Sequence, residues 1–271
     1  MILFLGDSFT WGQGLYYSRW LEKGMSFDDI NKKLPPFTFH ENIISYNDDV
    51  HRRKHHFPAI ISKHFNKPYC IRYGNGGSNR NIINILENIN HQMLFESIEL
   101  VVVQFTYWSR DIDNPSLVKY YQNKYNVDEM GAMFMIREFQ IEKIVDLCTR
   151  PKGYNKYDST ENEMTIPSSS YNKEIPVRFL CEELEYASYI EQKYPEKLLT
   201  IDFDSNTFKS LSDFKIYNDK LPISSDPYKM PGKQNILISN QWPEIKDYHY
   251  SEHGHQIIAD SLKYHLSPIL E

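Results

Sequence analysis

The chain has 271 residues, with 30 Lys and Arg against 36 Asp and Glu, a formal net charge of −6; it is 41% hydrophobic and 14% aromatic. That composition excludes a disordered, collagen-like or low-complexity chain, and the mild acidity argues against a general nucleic-acid binder, which would carry a basic surface. At this length about 70% of the unfolded surface can be buried, enough for one large domain or a core of about 150–200 residues with insertions.

Residues 1–5 (MILFL) form a continuous apolar run closed by Gly6, the pattern of a strand buried on both faces of a parallel sheet. Phe57–Phe65 places Ile60, Ile61, His64 and Phe65 on one face of a helix. Cys70–Tyr73 predicts a second strand, stopped by Gly-Asn-Gly-Gly at 74–77. Asn79–Leu94 repeats isoleucine and leucine at helical spacing, and Leu100–Gln104, with three valines, predicts a third strand. Asp128–Leu147 and Lys173–Tyr194 read as two longer helices. Leu198–Phe203 reads as a fourth strand and Asn235–Ser239 as a fifth. A last amphipathic segment, QIIADSLKYHL, closes the chain at 256–266.

Strands alternating with helices imply βα units, hence an α/β fold: a three-layer α/β/α sandwich around a mostly parallel sheet of about five strands. Three stretches break the rhythm. Residues 16–56, 150–175 and 205–234 read as insertions or long loops on a single domain spanning 1–271. Loops this long are uncommon unless they cover a site or bind something. The cluster HRRKHH at 51–56 reads as a solvated loop or helix start, with contact to an anionic group as the alternative.

Three cysteines, Cys70, Cys148 and Cys181, are an odd number without metal-ligand spacing, so no disulfide framework is expected. No window approaches the ~20 apolar residues of a membrane span. Met1–Leu5 run into Gly-Asp-Ser with no charged lead, so no signal peptide is expected, and the reading is cytoplasmic.

Three places could hold chemistry. Gly6-Asp7-Ser8 follows the first strand immediately, and in an open α/β sheet ligands bind beyond the carboxyl ends of the strands. Ser8 there is a candidate nucleophile; the alternative is that Asp7 or Ser8 only caps a helix. Near the other end, Asp247-Tyr-His249 offers an imidazole with a neutral-range pKa and a carboxylate to orient it, which is what a serine hydroxyl needs to become nucleophilic. The alternative is a polar helix entry with solvated histidines. Third, the glycines of 74–77, followed by Ser78-Asn79, let backbone N–H groups approach a ligand. A dinucleotide fingerprint is incomplete, because Asn79 stands at its last glycine, and no Walker-type Gly-Lys-Ser/Thr occurs. His249 and His253 have the spacing of a helical ligand pair, but with no Cys or carboxylate pattern beside them no metal is expected.

Together these three segments resemble the SGNH/GDSL hydrolases. GDSFTWGQGL at 6–15 resembles that family's first block, FPAIISKHFNKPYCIRYGNGGSNRNI at 57–82 its second with the preceding helix, and DYHYSEHGHQIIA at 247–259 its last. The resemblance covers a core of about 150 residues and implies a flavodoxin-like sheet. It implies Ser8 as nucleophile, His249 as general base and Asp247 as its orienting partner. It also implies an oxyanion hole from the N–H groups of Ser8 and Gly76, with Gly77 as the neighbouring register.

The family's third block supplies an Asn after the third strand, and none stands in Val103–Arg110 here; Thr106 or Asn79 is the expected substitute donor. Asp7, Trp11, Gly77, Tyr107 and Trp108 are expected to line the substrate pocket. The activity implied is serine-dependent hydrolysis of a small-molecule or glycan ester through an acyl-enzyme, with no cofactor, no nucleic acid partner and no membrane span. The sequence leaves two alternatives open: a weakly active or inactive binding or assembly module on the same fold, and an O-acyltransferase to a glycan.

Overall fold

The computed structural model describes residues 1–13, 15–26, 29, 32, 44–73, 78–91, 97–106, 111, 114–149, 175–181, 189–190, 192–193, 200–202 and 252–271. Its elements in chain order are β1 (Ile2–Gly6), α1 (Ser8–Trp11), α2 (Tyr17–Glu22), α3 (Tyr46–His55), α4 (Phe57–Phe65), β2 (Tyr69–Tyr73), α5 (Asn79–His91), β3 (Leu100–Phe105), α6 (Pro115–Tyr125), α7 (Glu129–Thr149), β4 (Val177–Cys181), β5 (Thr200–Asp202) and α8 (Glu252–Leu270).

The five strands form one sheet in the order β2-β1-β3-β4-β5. Every pairing is parallel: Ile2 faces Tyr69 on one side and Leu100 on the other, Val101 faces Val177, and Phe179 faces Thr200. This is the flavodoxin-like order, whose switch point lies between β1 and β3. Side chains alternate across the pleat, so each strand feeds two cores. Leu3, Leu5, Val101, Val103, Phe105, Val177 and Phe179 pack against α5 and α7 through Ile82, Ile83, Leu86, Ile141, Ile144 and Leu147. Ile2, Phe4, Leu100, Val102 and Leu180 pack on the opposite face against α4 and α8 through Phe57, Ile61, Ile258, Leu262 and Leu266. The result is the expected three-layer α/β/α sandwich. It also explains why MILFL and LVVVQF are apolar throughout: all six residues of β3 are buried, as strands covered on both faces require.

One expected element is corrected. Residues 173–194 do not form one helix, because Val177–Cys181 is strand β4, held between β3 and β5. A short buried apolar run carries no period that separates strand from helix; here two neighbouring strands take up its backbone groups. Among the described residues of this stretch, helical ones lie beyond it, at 189–190 and 192–193. The strand expected at Asn235–Ser239 and the stretches 150–174 and 205–234 lie outside the described residues. So does all but the core of the strand expected at 198–203, of which Thr200–Asp202 is β5.

The described residues of the stretch 16–56 include helices α2 and α3. In α3, Ser45 accepts from the Asp48 N–H as N-cap, Asp48 and Asp49 lie in the first turn, and Arg52, Arg53, Lys54 and His55 lie in the last. Each sign of charge therefore sits at the helix end whose dipole favours it. Helix α6 was not foreseen, although Asn114-Pro115 carries its start: the Asn114 side chain accepts from the N–H groups of Ser116 and Leu117, and the helix ends at Asn126 in the left-handed region. No helix among the described residues is long and apolar enough to cross a membrane.

Candidate active site

Strand β1 delivers Gly6, Asp7 and Ser8 to the carboxyl edge of the sheet. The turn there is tight. A Cβ on Gly6 would lie 2.0 Å from Thr10 Oγ1 and 3.2 Å from the Gln104 Cβ, so only glycine fits. Thr10 in turn donates its hydroxyl hydrogen to Gln104 Oε1 on β3, both residues being buried. Ser8 opens α1; its carbonyl accepts from the N–H groups of Gly12 and Gln13, each at 3.0 Å. Asp7 and Ser8 are both buried. Gly12 ends the turn at φ +89°, where a side chain would also strike Leu15 and His56.

The neighbouring strand end is pinned by Asn79, the first residue of α5. Its Oδ1 accepts from the Thr106 N–H at 3.0 Å. Its Nδ2 donates to the Thr106 carbonyl at 3.1 Å and to Gln140 Oε1 at 3.2 Å, which uses both amide hydrogens. Gln140 donates onward to Asp111 Oδ2, which also accepts from the Arg80 N–H. Burial pushes the Asp111 carboxyl above its ordinary pKa, while hydrogen bonds from Ser78, Arg80 and Gln140 work against that rise. This buried chain ties β3, α5 and α7 together. Thr106 is buried as well, and its hydroxyl makes no hydrogen bond among the described residues. Asp111 and Gln140 also line a cavity of about 420 Å³ together with Arg80, Tyr120, Tyr121 and Lys124.

A second buried group supports the other side of the turn. The guanidinium of Arg52 lies 4.0 Å over the Trp11 ring, donates to the Trp11 carbonyl and pairs with Asp49 Oδ1 at 2.6 Å. Trp11 is accordingly buried, with Tyr16 edge-on at 6.3 Å. The basic cluster is therefore not a wholly solvated segment: Arg52 and His56 are buried, and the run forms the last turn of α3. Burial, reinforced by the Arg52 charge, drives the His56 pKa down to about 3, so the ring stays neutral and meets the Tyr69 hydroxyl at 3.0 Å. Nearby, burial raises the Asp48 carboxyl, but hydrogen bonds from Lys23, Ser45 and Trp20 outweigh it and hold the group down to about 2.

The final helix joins the same corner. His255 is fully buried and its Nδ1 accepts from the Phe57 N–H at 3.2 Å, capping α4 while its ring stacks on Phe57. Glu252, first in α8, lies 2.6 Å from His51 Nε2 on α3. The first turn of α8 is thus fastened beside His56, whose Cβ would lie 3.0 Å from a Cβ at Gly12.

Of the residues singled out in the sequence, the structure brings Ser8, Asn79 and Thr106 to one sheet edge, with Asp7 and Trp11 at the same turn. Gly76, Gly77, Tyr107, Trp108, Asp247 and His249 lie outside the described residues. Sequence reasoning passed over Gln104, Asp111 and Gln140, which only tertiary packing pairs, and Arg52, hidden within a run of charge.

No family model matches the chain, and no curated protein matches it. Among solved structures, a lipase from a goat rumen metagenome is similar to it at 13% identity and a TM-score of 0.38, over 97% of this chain and 95% of that one. A likeness at that level leaves the functional reading to rest on the site itself.

Proposed function

We propose that the protein is a serine-dependent ester hydrolase of the SGNH/GDSL type, with Ser8 as nucleophile, His249 as general base and Asp247 orienting the imidazole. The observation that carries this reading is the position of Ser8. It stands at the carboxyl end of β1, beside β3, at the switch point of a flavodoxin-like sheet, where open α/β folds bind their ligands.

Two further features support it. The first turn of α8, three residues after His249, is fastened to α3 and α4, and α4 begins next to the residue that abuts Gly12. The buried Thr106 hydroxyl at the end of β3 is a donor without a partner among the described residues, suited to a developing oxyanion. In this scheme Asn79 holds Thr106 in place, and the backbone N–H groups of Ser8 and Gly76 complete the hole.

His249 takes the Ser8 proton as Oγ attacks the ester carbonyl. The tetrahedral oxyanion is held by the N–H groups and the Thr106 hydroxyl; the C–O bond to the alcohol then breaks, and the alcohol leaves with the proton from His249. Water, deprotonated by the same base, cleaves the acyl-enzyme and regenerates Ser8. The step needs no cofactor.

The test is turnover of a short-chain aryl ester and labelling by a fluorophosphonate in purified wild type and Ser8→Ala. Loss of both in the variant is the expected result, since the substitution is small and leaves the fold standing. Equal turnover in Ser8→Ala would refute the nucleophile assignment. Absence of labelling in wild type would favour a non-catalytic binding module, and product analysis with an added glycan acceptor separates hydrolysis from acyl transfer.

A further inference from the structure

The last turn of α3 and the first turn of α8 meet in a cluster that the proposed hydrolysis does not use. His51 and His55 stand four residues apart, so both imidazoles leave the same face of α3. Their ring centroids are 4.1 Å apart with planes inclined at 40°. Glu252 enters from α8, its Oε1 at 2.6 Å from His51 Nε2. One donor atom from each of the three lies within 4.8 Å of the other two.

The protonation pattern is also favourable. His55 Nδ1 lies 2.8 Å from the His51 carbonyl oxygen. A carbonyl only accepts, so Nδ1 carries the hydrogen and the neutral ring keeps its lone pair on Nε2. Such a backbone contact is how ligating histidines are commonly oriented. Arg53, an exposed cation on the same helix, is drawn aside to Asp49 at 2.7 Å.

We infer that His51, His55 and Glu252 form a binding site for a divalent first-row transition metal, Zn²⁺ or a neighbour such as Co²⁺, which bridges α3 and α8. Two imidazoles and a carboxylate suit these ions, whereas Mg²⁺ and Ca²⁺ take oxygen donors. Metal–donor bonds of about 2.0–2.1 Å in a tetrahedral shell place the donors about 3.4 Å apart. The His51–Glu252 contact therefore opens slightly and the wider separation closes, by rotation of side chains that are all partly exposed. On binding, His51 turns the lone pair of Nε2 to the ion with its ring hydrogen on Nδ1, and the carboxylate turns from hydrogen-bond acceptor to ligand. Three protein donors leave a fourth position for water. The ion ties the start of α8 to α3 three residues beyond His249.

The experiment is calorimetric titration of the full chain with ZnCl₂, together with the visible spectrum on adding Co²⁺, in wild type, His55→Ala and Glu252→Gln. Saturable binding of one ion per chain is expected, weakened at least tenfold in each variant, with a four-coordinate Co²⁺ band lost in both. Zn²⁺ should raise the wild-type Tm by mass action and Mg²⁺ should not. Far-UV circular dichroism checks that the variants fold. No saturable Zn²⁺ binding in wild type, or unchanged affinity in both variants, overturns the site. Neither readout involves Ser8, so the metal site and the esterase reading stand or fall separately.

Discussion

Replacing Gly6 by alanine tests whether the turn before Ser8 is set by space. Built on the backbone, the new Cβ falls 2.0 Å from Thr10 Oγ1, 2.7 Å from Thr10 Cβ and 3.2 Å from Gln104 Cβ. Relief requires Thr10 to move by more than an ångström, yet it is buried and hydrogen-bonded to Gln104, and Gln104 is fixed by the β3–β4 register. Overpacking of this kind costs about 1–3 kcal/mol. Losing the buried Thr10–Gln104 bond costs about 1–3 kcal/mol more, offset by the ~0.4–1 kcal/mol that alanine gains through a less flexible unfolded chain. The net loss is about 1–5.5 kcal/mol, a drop in Tm of roughly 2–20 °C for a domain of this size. Urea denaturation of wild type, Gly6→Ala, Thr10→Gly and the double variant measures it. The double variant removes both Thr10 atoms that clash, so it should be about as stable as Thr10→Gly alone, giving a coupling equal in size to most of the Gly6→Ala loss. A Gly6→Ala protein that melts with wild type, or a cycle without coupling, would refute the steric account.

Thr106→Val should lower kcat for an aryl ester by ~10²-fold if the hydroxyl is an oxyanion donor, while stability stays level or rises, because the change removes a buried hydroxyl that has no partner among the described residues; unchanged kcat counts against the role. Asn79→Ala leaves the Thr106 N–H and C=O buried without their partner, so the urea midpoint should fall by the equivalent of about 2–4 kcal/mol; a loss under ~0.5 kcal/mol would show that Asn79 is not the pin. Acid should destabilise the fold through His56. Its folded pKa, about 3, lies below the ordinary 6.5, so the unfolded chain binds the extra proton, and stability present above pH 6.5 is lost as pH falls, by up to ~1.4 kcal/mol per unit. His265, also lowered by burial, adds to the slope in the same direction. Between pH 6.5 and 4.5, denaturation curves of His56→Gln should lose the His56 share, and a slope identical to wild type would show that the ring is protonated in the native state.

The sheet was largely legible because its strands are buried on both faces and so are apolar along their whole length. MILFL and LVVVQ declare themselves for that reason. The Val177–Cys181 strand did not, since Lys173–Tyr194 has enough apolar residues at mixed spacing to fit a helix, and the choice was made by β3 and β5 on either side. The site was legible only in part. Gly6-Asp7-Ser8 follows its strand directly, so its place at the sheet edge comes with the fold. The partners of Thr10, Asn79 and Arg52 lie 94, 27 and 41 residues away; no spacing along the chain encodes such pairs. Arg52 was concealed further by its neighbours, because a run of basic residues gives no sign of which one turns inward over Trp11.

In the proposed mechanism, the two candidate side-chain oxyanion donors, Asn79 and Thr106, are separated by what each would have to give up. Asn79 spends both amide hydrogens on Thr106 and Gln140. To reach an oxyanion it would break bonds that fix the end of β3, and a donor that must reorganise forfeits most of the advantage of a prebuilt hole. Thr106 has the opposite balance. Its backbone is clamped by Asn79 on both N–H and C=O, whereas its hydroxyl is committed to nothing among the described residues. A rigid main chain carrying an unspent donor is what electrostatic stabilisation of a transition state requires. The same amide that cannot serve directly therefore makes the neighbouring hydroxyl fit to serve.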